Sequence, residues 1–324
     1  MNRDWLWCPA CIVFMPLVFF ASGAASAQSK PYPVQPHELL RRARQLDSEG
    51  AATLLAEGYE RFPRSAPLAL AYAQSLYHLG RFSEAVDIYR GCHETAGGHG
   101  DRLGDQCLLG EATILVYQNR FVEARRILHE LVGSSPGERV RDHAQVLFAR
   151  CVAGLNDPSA AMTLLAAVGE SGGPDFIGFV CVEKARVALM LGRLDEAVFQ
   201  IEKALEVAER AEYHLLKALT LAWGADLAAA GEALERVRIE DLHVFYRRIP
   251  RLLGLALAGE NDEVLLKEEL ALRPHDPAGW LIAALGGWRR AEAGWSQYLD
   301  DGRKATNSTF LLDPKWGEDI EVAR

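Results

Sequence analysis

Two stretches of the chain share six of eleven residues in the same order, LGRFSEAVDIY at residues 79–89 and LGRLDEAVFQI at residues 191–201. In both copies a glycine is followed two residues later by Phe or Leu, then by Glu-Ala and a further apolar residue. Related copies are QNRFVEARRIL at 118–128, LNDPSAAMTLL at 155–165 and LDSEGAATLLAEGYERFP at 46–63. Self-similarity at such intervals indicates one supersecondary unit that is stacked several times.

Small residues recur where two helices of such a unit would cross. A larger side chain there would push the helix axes beyond their usual separation of roughly 8–10 Å. These alanines fall twelve residues apart in pairs, at Ala73 and Ala85, Ala112 and Ala124, Ala149 and Ala161, and Ala185 and Ala197. The first helix of each pair is predicted to end at a residue with a left-handed backbone conformation, which Gly adopts most easily and Asn next. The predicted residues are Gly80, Asn119, Asn156 and Gly192, and Pro63 and Pro136 are predicted to stop second helices.

These residues resemble the tetratricopeptide repeat, a helix-turn-helix unit of about 34 residues. The resemblance covers roughly residues 32–236 and implies an all-α fold, a right-handed superhelical solenoid of antiparallel helix pairs. Units are predicted to begin near Tyr32, Ala66, Asp105, Asp142, Gly178 and Ala211. We expect a repeat array over 28–246, followed by degenerate helical repeats and a C-terminal cap over 247–324 that covers the last open core face.

The first 27 residues have the pattern of a secretory signal. Arg3 precedes an apolar run from Trp5 to Phe20, and the small residues ASA stand directly before Gln28. Cleavage near Ala27 would release a periplasmic or secreted chain, whereas an uncleaved segment would anchor it in the inner membrane, facing the periplasm. No second membrane span is predicted after the signal.

The resemblance implies a groove lined by the first helices, which in this family binds a peptide or a partner helix. The inward-facing positions of the family are assigned here by their distance in sequence from the crossing alanines. They include aromatic residues and two central arginines that are suited to binding a carboxylate. The alternative for the arginines is an ordinary charged face or pairing with Glu183, and the aromatic residues alternatively pack between helices. The predicted groove residues are Gln74, Tyr77, His78, Thr113, Tyr117, Arg150, Arg186, Met190 and Trp223.

Four cysteines remain after the signal. The resemblance places Cys92 late in a second helix and Cys107 early in the next first helix, so a disulfide between them is one expectation and two buried thiols the other. Cys151 and Cys181 are expected to be buried thiols. Cys92, His93, His99 and Cys107 match no common zinc spacing, and no metal is predicted.

Composition and motifs favour a binding protein over an enzyme. The 324 residues carry a net charge of −9 without a dense basic run, so nucleic acid is not an expected partner. No nucleotide, metalloprotease or hydrolase fingerprint occurs, so no cofactor and no catalysis are predicted. We expect a protein-interaction adaptor or scaffold of the bacterial cell envelope that binds a protein or peptide. The alternatives are a self-associating structural subunit, hence a homo-oligomer, and an all-helical glycan-processing enzyme with paired carboxylates.

Overall fold

The computed structural model describes residues 35–98, 100–135, 137–168, 173–306, 310–312 and 314–316. The predicted signal segment, Pro136 and His99 lie outside these residues. Within them the secondary structure is helical throughout, with sixteen α-helices and two short 3-10 helices. The prediction of an all-α fold is therefore confirmed.

The helices follow one another at short intervals, as a chain of stacked helix pairs requires. The α-helices are α1 (Pro36–Ala43), α2 (Ser48–Arg61), α3 (Ala66–His78), α4 (Phe82–Thr95), α5 (Arg102–Tyr117), α6 (Phe121–Ser134), α7 (Glu138–Gly154), α8 (Pro158–Ala166), α9 (Pro174–Met190), α10 (Leu194–Val207), α11 (Ala211–Trp223), α12 (Leu227–Glu235), α13 (Ile249–Ala258), α14 (Glu263–Leu272), α15 (Pro277–Arg289) and α16 (Ser296–Thr306). The 3-10 helices Ile239–Asp241 and Val244–Tyr246 stand between α12 and α13.

The turns inside the pairs share one backbone geometry. At the end of α3, Gly80 has a φ of 74°, its N–H donates to the carbonyl of Tyr77 at 2.9 Å, and the N–H of Arg81 donates to that of Leu76 at 2.9 Å. This is the Schellman arrangement, which satisfies carbonyls that a helix end leaves without partners. The same two bonds and a positive φ recur in the described chain at Asn119, Asn156, Gly192, Ala225, Gly259 and Ala291.

This geometry continues beyond the part of the sequence where the repeat signature is readable. Ala225, Gly259 and Ala291 make the turns after α11, α13 and α15, in or near the region predicted to be degenerate. Ala225 and Ala291 adopt the left-handed backbone conformation, which is unfavourable for alanine. The surrounding packing must therefore impose this conformation. Helix pairing is therefore maintained there without Gly or Asn at every turn.

The crossing alanines are buried as predicted. Ala73, Ala85, Ala112, Ala124, Ala149, Ala161, Ala185 and Ala197 all have no exposed surface. Ala218 and Ala230 are equally buried in the sixth pair, where the Glu-Ala signature is missing. A buried small residue at the helix crossing is therefore common to pairs with and without that signature.

The glutamate of the signature has a partner that the sequence analysis did not consider. Arg81 precedes α4, and its Nε donates to Oε1 of Glu84 in the first turn of that helix at 2.7 Å. Arg120 with Glu123 and Arg193 with Glu196 repeat this exposed pair at the starts of α6 and α10. An exposed pair of this type stabilises a helix by only about 0.5 kcal/mol. The pair is therefore a recurring feature of the repeat that contributes little to its stability.

The chain divides into two compact units. Of the described residues, the first unit comprises those up to Ile114 together with those between Glu130 and Arg141. The second comprises Leu115–His129 together with those from Asp142 onward. The predicted boundary near residue 246 falls inside the second unit, beside the two 3-10 helices. Among the described residues, no helix is long and apolar enough to cross a membrane.

Candidate functional site

The second unit contains a cavity of about 100 Å³, which we call the second-unit cavity. Its walls come from the end of α5, from α7, α9 and α11, and from the 3-10 helix Val244–Tyr246. The starts of α6, α13 and α15, the loop residues Asn119, His275 and Asp276, and the residues Phe310 and Leu311 also belong to the lining. First helices of consecutive pairs thus contribute to one concave site, the arrangement in which binding pockets usually form.

A buried carboxylate shared by two arginines lies in this wall. Glu183 on α9 has a side chain that is only 3% exposed, and its Oε1 lies 3.3 Å from Nη1 of Arg150 on α7. The same Oε1 lies 3.4 Å from Nε of Arg186, one turn further along α9. Two guanidinium groups thus face one carboxylate, so these three residues together carry one net positive charge.

Aromatic rings cover both guanidinium groups. Cζ of Arg150 lies 5.2 Å from the ring centroid of Tyr117, and Cζ of Arg186 lies 5.0 Å from that of Phe310. Burial acts to lower the pKa of Arg150, but the negative charge of Glu183 opposes it, and the net direction is upward. Both arginines are therefore fixed positive charges presented by rigid helices.

The cluster leaves a hydrogen-bond acceptor without a donor. Oε2 of Glu183 is buried and has no hydrogen-bonding partner among the described residues. Buried carboxylate oxygens in native proteins normally accept a hydrogen bond, so this atom lacks a donor that it would be expected to have. An N–H of a bound peptide has the right chemistry for it.

A third arginine, which is buried, packs against the 3-10 helix that forms another wall. Arg273 forms an ion pair with Glu269, and its Nη1 lies 3.5 Å from Oδ2 of Asp276. Its Cζ lies 4.4 Å from the ring centroid of Phe245 and 5.8 Å from that of Tyr246. Burial raises the pKa of Tyr246 to about 12, so its hydroxyl stays protonated at neutral pH.

Three carboxyl groups belong to the lining, and two of them already have partners. Glu183 is paired with arginines, while Asp276 is paired with Arg273 and caps α15 by accepting from the N–H of Ala278 at 3.0 Å. Burial raises the pKa of the third, Glu212, above its ordinary value. Glu212 is therefore the lining carboxyl group whose neutral form is stabilised by burial.

One long-range hydrogen bond joins two loops at the rim of the cavity. Nδ2 of Asn119, the left-handed residue between α5 and α6, donates to the carbonyl oxygen of His275 at 2.5 Å. His275 lies between α14 and α15, and its Nδ1 lies 2.9 Å from the carbonyl oxygen of Ala305. Both Asn119 and His275 line the cavity, although they are far apart in the sequence.

The predicted groove residues fall into three groups. Tyr117, Arg150, Arg186 and Met190 line the second-unit cavity together. Trp223 does not belong to that lining: it is buried, and Nζ of Lys315 lies 5.5 Å from its ring centroid. The remaining four, Gln74, Tyr77, His78 and Thr113, belong to the first unit.

In the first unit two of these four residues are core residues. Tyr77 is buried, and Thr113 is buried with its hydroxyl donating to the carbonyl oxygen of Leu109 at 2.7 Å. Gln74 and His78 are partly exposed. The inward positions implied by the resemblance are therefore not equally accessible.

Sequence analysis missed the part of the wall that comes from outside the helix pairs. Phe245, Tyr246, Phe310 and Leu311 line the cavity but follow no repeat pattern. The sequence feature that could have indicated the second part of this wall is the short run FLLDPKW at 310–316. It is rich in large apolar residues and lies outside any predicted helix. Such a run needs a place to be buried.

The cysteines are arranged in two ways. The structure joins Cys92 at the end of α4 to Cys107 on α5 by a disulfide, with the Cα atoms 6.1 Å apart. Cys151 and Cys181 are buried thiols, and burial raises the pKa of Cys151 to about 12. The described residues contain no group of three or more potential metal ligands, and the candidate ligand His99 lies outside them.

Comparison with known proteins gives one partial sequence match and several similar folds. None of the known family profiles matches the chain. A tetratricopeptide repeat protein 30 homologue of Drosophila melanogaster is 30% identical over 100 residues, which is 31% of this chain but only 14% of that relative. This sequence match therefore concerns a small part of the relative.

Two solved structures share the architecture over most of the chain. The human IFIT1 dimer with PPP-AAAA has a TM-score of 0.51 at 14% identity, covering 84% of this chain and 72% of that one. The Cut9–Hcn1 hetero-tetramer of the APC/C has a TM-score of 0.50 at 12% identity, covering 85% and 54%. At such identities the likeness concerns the fold alone.

The repeat motifs, the recurring turn and the sequence match agree on the class. The resemblance seen in the sequence is confirmed as a likeness to a tetratricopeptide repeat protein over part of the chain. Its architecture is a helical repeat fold built from antiparallel helix pairs.

Proposed function

We propose that this protein is a non-catalytic interaction adaptor or scaffold whose second-unit cavity binds a segment of a partner protein. The observation that carries the proposal is the cluster of Arg150, Arg186 and Glu183 in a concave wall of first helices. Helical repeat proteins bind partners on surfaces of this kind.

The cluster determines the partner chemistry. With one carboxylate between two guanidinium groups, the wall favours an anionic group such as a side-chain or terminal carboxylate, which an arginine binds through two parallel N–H bonds. Oε2 of Glu183 would accept from a backbone N–H of the same segment. A peptide offers both groups within a few ångströms, whereas a simple anion offers only one.

We propose further that the adaptor works in the bacterial cell envelope, as a periplasmic or secreted protein. The signal pattern over residues 1–27 supports this location, and so does a disulfide between Cys92 and Cys107, because disulfides persist in oxidising compartments. The alternative is a chain that stays anchored in the inner membrane by an uncleaved signal.

The test is capture of a partner from envelope extract by residues 28–324, compared with an Arg150→Lys/Arg186→Lys variant. Lysine keeps the charge but loses the planar fork and much of the ring stacking, so we expect the variant to retain about a tenth or less of the captured protein. The matched control is Arg81→Lys/Arg193→Lys, which changes two exposed arginines at helix starts and should capture as much as the wild type. Equal capture by all three proteins would contradict the proposed site.

Self-association is the second candidate. Val264 and Leu272 on α14 are 70% and 67% exposed, which is unusual for large apolar side chains and fits a contact between copies. A mass that rises with protein concentration, and that Val264→Ser/Leu272→Ser returns to the monomer value, would support this role. A concentration-independent monomer mass would contradict it.

An enzymatic role would need two carboxyl groups acting together on a glycosidic bond. Two of the carboxyl groups that line the cavity are engaged by arginines, which argues against such a pair. Release of sugar from envelope glycan by the wild type but not by Glu212→Gln would overturn the non-catalytic assignment.

A further inference from the structure

A short segment that belongs to no helix pair occupies the second unit. Phe310, Leu311, Leu312 and Trp316 are all buried there, although they follow α16 and lie outside the repeat pattern. We call the described residues 310–312 and 314–316 the resident segment. Its burial places four large apolar side chains on surfaces that the helix pairs provide.

The first half of the resident segment forms part of the cavity wall itself. The ring of Phe310 lies under the guanidinium of Arg186, with 5.0 Å between Cζ and the ring centroid, and Leu311 lines the cavity beside it. Phe310 therefore covers one of the two cations that face the single carboxylate of Glu183.

The second half is held by a tryptophan. Nε1 of Trp316 donates to the carbonyl oxygen of Ala222 at 2.9 Å, near the end of α11. Its ring centroid lies 5.1 Å from that of Trp288 in a stacked arrangement and 5.3 Å from that of Trp295. An indole that is stacked and hydrogen-bonded in this way is a typical anchor of a bound peptide.

The backbone of the segment is strained at its second residue. Leu311 has a φ of 60°, in the left-handed region that a leucine rarely adopts. A conformation of this kind persists only where the surroundings impose it, and here the surroundings are the cavity and its neighbouring side chains. The segment thus resembles a ligand shaped by its site more than a self-supporting element.

We propose that the resident segment is an internal ligand of the second-unit cavity, and that the partner segment recognised there has the same chemistry and displaces it. The partner would present an aromatic side chain for Arg186, two aliphatic side chains after it and an indole a few residues further on. It would also carry the carboxylate proposed above for the arginine pair, as the chain's own sequence carries Asp313. This inference rests on the proposed function, because it identifies the partner of that same site.

Attachment to the chain gives the resident segment an advantage over an outside peptide. A short tether produces an effective concentration in the millimolar range, so an outside segment of equal intrinsic affinity sees a mostly occupied site. The apparent dissociation constant of the outside peptide equals its intrinsic value divided by the fraction of molecules in which the site is open. Weakening the resident segment should therefore strengthen binding of a matching peptide.

The experiment measures binding of a fluorescent peptide with the chain's own sequence over residues 305–318. It is added to residues 28–324 of the wild type and of a Phe310→Ala/Trp316→Ala variant, with helical circular dichroism recorded for both. We expect the variant to bind the peptide at least about tenfold more tightly than the wild type. A peptide carrying the same two alanine substitutions is the matched control and should bind neither protein.

Two results would overturn the inference. One is a helical variant that binds the peptide no better than the wild type, and the other is a variant that loses its helicity, because the segment would then be a structural part of the fold. Adding Arg186→Lys to the variant should weaken peptide binding, which tests contact with the cavity. Partner capture by the wild type is measured separately, so loss of the adaptor function and loss of the internal-ligand role give different patterns.

Discussion

The two compact units use charged residues in different ways. In the first unit, Arg90 on α4 pairs with Glu111 on α5 at 2.8 Å, and the arginine is 49% exposed while the glutamate is 6% exposed. In the second unit, Glu183 is 3% exposed and lies between two arginines that are 18% and 24% exposed.

This difference separates a structural ion pair from a candidate binding site. A pair with one partner in water keeps most of its hydration and needs no further group. A buried cluster with two cations, one anion and an oxygen without a donor loses hydration that it does not fully recover. A fold retains such an arrangement most easily where a ligand completes it, and the cluster lies in the wall of a cavity.

The largest expected effect is removal of the buried carboxylate. Glu183→Leu leaves two guanidinium groups without their anion, and we expect it to lower the free energy of unfolding by about 3–5 kcal/mol. The matched substitution Glu111→Leu, whose arginine partner returns to water, should lower it by only about 1 kcal/mol or less. Urea unfolding of both variants measures this difference, and equal losses would remove the distinction between the units.

The next largest expected effect on stability concerns the disulfide of the first unit. Reduction, or Cys92→Ala/Cys107→Ala, opens a loop whose cysteines are 15 residues apart, and we expect a loss of about 3 kcal/mol. Amide hydrogen exchange should show faster opening of α4 and α5 with little change around Glu183. Cys151→Ala/Cys181→Ala is the control for thiol removal, because these cysteines form no disulfide. Unchanged exchange in α4 and α5 after reduction would contradict this prediction.

A smaller effect is expected from pH in the first unit. Although His78 is partly exposed at the surface, burial of most of its ring lowers its pKa to about 4 from an ordinary value of 6.5. The unfolded chain therefore binds this proton more readily than the folded chain. Stability is therefore complete above about pH 6.5 and falls as the pH decreases towards 4, by at most about 1.4 kcal/mol per pH unit.

Hydrogen exchange in α3 and α4 between pH 7 and pH 4.5 measures this loss, after correction for intrinsic exchange rates. His78→Gln cannot be protonated, so it should flatten the dependence in those helices. His214 in the second unit also has a pKa lowered by burial and provides an internal comparison that this substitution should leave unchanged. A variant with the same pH dependence as the wild type would show that another group is responsible.

The smallest expected effect concerns the type of turn that occurs in both units. Ala225 in the second unit holds a φ of 70°, the conformation that Gly80 holds in the first at 74°. Ala225→Gly relieves backbone strain and should raise stability by about 1 kcal/mol or less, whereas Gly80→Ala should lower it by a similar amount. Thermal unfolding of both variants checks the two signs, and stabilisation by Gly80→Ala would contradict the account of the turn.

Much of the fold was predictable because it is encoded locally. Gly80, Asn119, Asn156 and Gly192 were predicted to be left-handed, and all four have positive φ values in the structure. The crossing alanines were predicted from their spacing and are fully buried. Each of these features depends on residues within one helix pair or its immediate neighbour, which is the range over which a repeat pattern carries information.

The candidate site was predictable only in part. Tyr117, Arg150, Arg186 and Met190 were identified because they occupy equivalent positions on successive first helices. Trp223 occupies such a position too, but it is covered in the structure, with Lys315 over its ring. A repeat position specifies the direction of a side chain relative to its own helix, and it does not specify what later parts of the chain place on top of it.

The sequence by itself determined the helices, their pairing, the turns between them and the small residues at their crossings. Only the tertiary structure decided that Asn119 bonds to His275, that Phe310 covers Arg186, and that Trp316 joins Trp288 and Trp295. The physical reason is the distance along the chain. A repeat pattern specifies contacts between neighbours, whereas these contacts depend on the summed geometry of many helix pairs and on a segment with no periodic pattern.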